Sequence, residues 1–156
     1  MIKLHYVAIL LLILAGLSYP ANSNADTFPK CFIGTYLVEQ ESGTQSLWTF
    51  AARGTLAITS SAQQLLNFST EHGAWEKSSR REAKATALDF SFGDEGELIN
   101  IARVDATINF KGNSCDEIEG EFTLRFFEPD QDPLNPDESS GSPITETLTG
   151  RRVTIK

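Results

Sequence analysis

Between residues 97 and 127 apolar and polar side chains alternate almost without interruption. Ala102, Val104, Ala106, Ile108 and Phe110 fall on one side of an extended chain, and Ile118, Phe122, Leu124 and Phe126 on one side of the next. Arg103, Asp105, Thr107, Glu119, Glu121 and Arg125 take the opposite sides. A period of two belongs to strands with one buried and one wet face. The turn sequence "KGNSCD" between the runs makes them an antiparallel pair.

The rest of the chain repeats the pattern in shorter pieces. Strand-like runs occupy 32–40, 46–50, 54–60, 72–77, 83–92, 97–110, 117–127 and 145–155, separated by turns such as "ESGT", "ARG", "SSRR" and "GDEGE". Only "SAQQLLNF" hints at helix, and it is short and lacks a cap. Eight strands with one-sided alternation and short hairpins predict an all-β, eight-stranded antiparallel up-and-down β-barrel, whose closure removes exposed edges. The alternative is a two-sheet β-sandwich.

In an up-and-down order every second loop lies at the same end. Loops 41–45, 61–71, 93–96 and 128–144 then share one end. They carry Glu41, Glu71, Asp94, Glu95, Glu128, Asp130, Asp132, Asp137 and Glu138 and no Lys or Arg. Lys30, Arg53, Arg80, Arg81, Lys111 and Lys156 gather at the other end. The expectation is a wide acidic mouth over a closed basic base, with the two long loops at the end where binding usually sits.

Residues 1–25 read as a secretory signal peptide: one Lys, an apolar run from Tyr6 to Leu17, then Ser23 and Ala25 at small-x-small spacing. The run is short for a membrane span, and Leu17 rather than a Cys follows "LAG". Residues 26–156 are left as a single barrel domain, secreted or periplasmic. Lys3 is the leader's only formal charge, so its removal takes the net charge from −8 to −9. So acidic a chain is a poor partner for nucleic acid, or for an anionic membrane after cleavage. In an oxidising compartment the two cysteines, Cys31 and Cys115, predict a disulfide bond. The strand order agrees, because it brings both to the base.

"IGTYLV" and the late "TGRRVTIK" carry a resemblance. Lipocalins and other calycin-like barrels have Gly-x-Trp on the first strand and a late Arg packed over that Trp at the closed base. Gly34, Tyr36 and Arg151 or Arg152 match, with Tyr in place of Trp. The middle is similar to small bacterial lipocalin-like proteins of unassigned function, through Thr49, Phe50, Gly54, Thr55, His72, Gly73, Trp75 and Gly120. The resemblance implies structural roles for Gly34 and Tyr36, with a guanidinium over the Tyr36 ring.

Catalytic signals are sparse, and no cofactor motif is found. After the leader the chain has one histidine, His72, with no nucleophile elbow to serve. One His and two bonded Cys do not make a zinc site. The stretch "EPDQDPLNPDESSGS" lacks the ligand spacing of a calcium loop, and its prolines predict an extended, solvated connection. Asn67 in "NFS" is a glycosylation sequon of consequence only in a eukaryotic host.

The aromatic residues are more informative. Trp48, Trp75, Phe92 and Phe126 are expected toward the mouth, with Asn100 and Arg152 as inward polar groups. An eight-stranded barrel has room for one small ligand. The leading expectation is a binding protein for a small apolar or aromatic ligand, neutral or cationic, in the barrel cup. The alternatives are an interaction or protease-inhibitor module meeting a protein partner through acidic loops, and a cyclase or isomerase of the allene-oxide-cyclase-like kind.

Overall fold

Alternation is realised as eight antiparallel strands, β1 (Gly34–Gln40), β2 (Gln45–Phe50), β3 (Thr55–Ser60), β4 (Glu71–Lys77), β5 (Glu82–Phe92), β6 (Leu98–Phe110), β7 (Glu117–Phe127) and β8 (Ser140–Arg152). The computed structural model describes residues 31–156, so the signal peptide expected at 1–25 lies outside the described residues. Each strand pairs with the next, and β8 returns to β1 through Tyr36↔Arg152 and Val38↔Gly150, which closes an up-and-down barrel. Closure rather than a sandwich follows from the length of β6, β7 and β8. These strands are long enough to tilt, curl and leave no free edge.

Inward parity builds the core. Ala83 and Ala87 on β5 pair with the larger Ile108 and Val104 on β6, and Ala85 between them pairs with Ala106. Tyr36, Val38, Trp48, Phe50, Leu56 and Ile58 fill the opposite wall. β8 starts at Ser140, five residues before the start expected from sequence, and ends at Arg152. A register shift between Leu124 and Phe126 on β7 passes over residues 141–143 of β8, Pro143 among them, and lets Ser140 pair with Phe126. "SAQQLLNF" does contain one turn of helix, α1 (Gln63–Leu66), closed by Asn67 in the left-handed region.

The base is sealed. Cys31 and Cys115 are disulfide-bonded with their Cα atoms 5.1 Å apart, which ties the segment before β1 to the loop after β6. Phe32, next to Cys31 in the chain, is driven inside as a plug, with none of its surface exposed. It stacks on Phe110 at 4.0 Å and meets Trp75 and Phe50 at 5.8 and 6.2 Å.

Candidate functional site

At the opposite end the barrel is open. β1, β3, β5 and β7 end there and the next strands begin there, so the mouth is rimmed by loops 41–44, 61–70, 93–97 and 128–139. Inside lies a cup of about 510 Å³, within the range of small-molecule sites. Its walls are apolar: Val104, Phe122, Leu124 and Phe126 from β6 and β7, and Phe92 from the end of β5. Leu66 and Phe68, carried by α1 and the chain after it, lean in from the 61–70 loop.

The cup has a polar floor. Glu71 and Asp89 line it while only 8% and 5% exposed. Continuing the β4–β5 register one step beyond His72↔Leu88 sets these two residues opposite each other. Asp89 pairs with Ala102 on β6, and Asn100 stands two residues nearer the mouth on the same inward face. Glu71 Oε2, Asp89 Oδ1 and Asn100 Oδ1 are all buried without a hydrogen-bond partner.

Such a pair cannot hold two ordinary carboxylates. Burial, helped by the charge of Asp89, pushes the Glu71 carboxyl up to about 8, and burial pushes Asp89 up to about 7. Each therefore exchanges its proton near neutrality. Trp48 completes the layer: it pairs with Ile58, which pairs with Glu71, and its indole Nε1–H is likewise buried and unpartnered.

The residues expected to line the cup divide between the two ends. Phe92, Phe126 and Asn100 line it. Trp48 is 1% exposed and, although its register sets it in the Glu71 layer, it does not line the cup. Trp75 is placed at the base instead of toward the mouth. β4 runs downward from Glu71, so by its fifth residue the chain has reached the base turn. There the Trp75 amide donates to Gly54 O at 2.8 Å and its indole to Ala51 O at 3.0 Å. Arg152 is also a base residue. Its guanidinium lies 4.7 Å from the Tyr36 ring centroid and donates to the carbonyls of Cys31, Ile33 and Cys115.

The long acidic segment does not overhang the opening. Arg103, on the outer face of β6, donates to Pro133 O and Leu134 O, both at 3.0 Å, and draws the 128–139 loop back over the outer wall. Asp105 holds that arginine and Arg125 at 2.9 Å each. Two of the loop's carboxylates serve the loop itself: Glu138 accepts from the Asp132 amide and the Asn135 side chain, and Asp132 from the Leu134 amide. Acidity at the opening comes from the other loops and from Glu146 of β8, which lines the cup. His72 is exposed on the outside of β4. The Asn67 amide is engaged, donating to Phe92 O and Gly93 O at 2.9 Å and fastening the 61–70 loop to the end of β5.

The sequence pattern places Glu71 in the 61–71 loop, whereas it opens β4, and gives Asp89 no role in the cup. A signal was present for Asp89, since the inward parity Ala83, Ala85, Ala87 continues to a carboxylate. An acid on an apolar face is the mark of a site. No protein-family model, curated protein or solved structure matches this chain.

Proposed function

We propose that this chain is an exported, calycin-type β-barrel that carries a small apolar or aromatic molecule, neutral or cationic, in its mouth cup. The observation that carries the reading is the cup itself: an open cavity of about 510 Å³ with apolar walls and an acidic floor, over a sealed base. Such walls supply affinity by burial, and the few polar groups supply orientation. Gly34, Tyr36 and Arg152 at the base support the calycin relationship, and the disulfide is compatible with an extracellular or periplasmic location. An interaction or inhibitor module would need no cavity, and the acidic 128–139 loop that would serve it is occupied with the outer wall.

Glu71 and Asp89 favour a second reading, acid–base catalysis on a substrate shaped by the cup, because both carboxyls exchange protons near neutrality. Native mass spectrometry of protein purified from its own host tests the first reading. A small molecule retained at one per chain is expected. A converted, unretained substrate would favour catalysis, and a bound protein chain over an empty cup would overturn both.

A further inference from the structure

We propose that the ligand of the cup is a primary amine on an apolar body, its ammonium seated on the floor against Glu71, Asp89 and Asn100. The inference rests on the reading of the mouth as a ligand cup and narrows the class of ligand. Three strands, β4, β5 and β6, each bring one buried oxygen acceptor that nothing among the described residues satisfies. A primary ammonium has three N–H donors. Hydrogen bonds from a cation to buried carboxylates are the strong kind, and a buried carboxylate without one is costly.

Nothing in the lining supplies that cation, because none of the lining residues is basic. The two acids are more than nine-tenths buried, so neither is held in place by solvent. Burial holds both carboxyls above their ordinary range, and the Asp89 charge adds to the effect on Glu71, the state of a pair that lacks a positive partner.

Other occupants fit less well. A hard metal ion takes about six to eight oxygens, whereas the floor offers two carboxylates and an amide beneath walls of Phe92, Val104, Phe122 and Phe126. A neutral alcohol has one donor and leaves the charge unpaired. A quaternary ammonium has charge but no N–H. A carboxylate ligand would set a like charge against the Asp89 carboxylate.

The test compares 2-phenylethylamine, 2-phenylethanol and phenethyl-trimethylammonium by isothermal titration near neutral pH, with calcium chloride as a fourth arm. The amine is expected to bind at least about tenfold tighter than either analogue. In Glu71→Gln and Asp89→Asn proteins the amine should lose that advantage while the alcohol keeps its affinity. The comparison in the unsubstituted protein needs no variant to fold. Equal binding of amine and alcohol would overturn the amine assignment and leave the cup standing. Tighter binding of the trimethylated cation would overturn it in favour of aromatic recognition of charge. Calcium binding lost in Asp89→Asn would overturn it in favour of a metal site. Failure of all four probes would count against the cup and the amine together.

Discussion

Arg152 and Tyr36, 116 residues apart, form the clasp that closes the barrel. The guanidinium lies over the ring at 4.7 Å and also donates to the phenol oxygen. That oxygen is 2.9 Å from Cys31 O and 2.8 Å from Cys115 O. Burial, opposed by Arg152, pushes the phenol up to about 12, so it stays a neutral donor. Tyr36→Phe keeps the ring and is expected to cost about 1–3 kcal/mol by leaving buried partners unmatched. Tyr36→Ala should cost about 3–5 kcal/mol. Urea unfolding measures both, and a Phe variant as stable as the parent would refute the clasp.

Gly34 is there to let Arg152 pass. Its φ is +141°, which side chains rarely adopt, and a Cβ would run into the Arg152 guanidinium. Gly96, at φ +85°, has open space around its missing Cβ. Gly34→Ala is expected to cost about 2–4 kcal/mol and Gly96→Ala about 1 kcal/mol. Equal costs in thermal melts would show that the clearance does not matter.

The floor acids make stability depend on pH with a definite sign. Glu71 titrates at 4.5 when unfolded and about 8 when folded. The folded protein therefore holds this proton more tightly, and the stability gained is fully present below pH 4.5 and is lost as pH rises toward 8. Glu71→Gln should thus be neutral in acid and stabilising above neutrality, by about 2 kcal/mol or more, since one pKa unit corresponds to about 1.4 kcal/mol. Denaturation across the pH range checks this. A gain that is independent of pH would mean that Glu71 is not a buried acid.

Salt separates the rim from the floor. Glu146 and the loop acids are screened, because the Debye length falls to about 3 Å at 1 M. Glu71 and Asp89 are shielded from salt by burial. A cationic aromatic probe should outcompete an anionic one of similar size, and part of that preference should survive 1 M salt. Complete loss, read by competition binding, would assign all the selectivity to the rim.

Much of the architecture is legible in the residues themselves. The alternation of β6 and β7 fixes their inward faces, and the up-and-down order that follows brings Cys31 to Cys115. Asn100 is recognisable as inward by parity alone. What parity cannot convey is height within the barrel. Trp75 pairs with Ala85 and bonds to the 51–54 turn, so the strand stagger sets it at the base. Glu71 pairs with Ile58 and so belongs to a strand, although it follows a polar loop. The folding-back of 128–139 depends on Arg103 meeting two carbonyls about thirty residues away, a tertiary event with no local signature.

Chemical-shift mapping on ¹⁵N-labelled protein addresses the cup most directly. Titration with 2-phenylethanol, and separately with 2-phenylethylamine, should give saturable one-to-one changes. These should centre on Glu71, Asp89, Asn100, Ala102 and Phe126, with Phe32, Tyr36 and Arg152 at the sealed base unmoved. Changes confined to the outer wall around Arg103 and Arg125, or no saturable change with either probe, would contradict a ligand-binding cup.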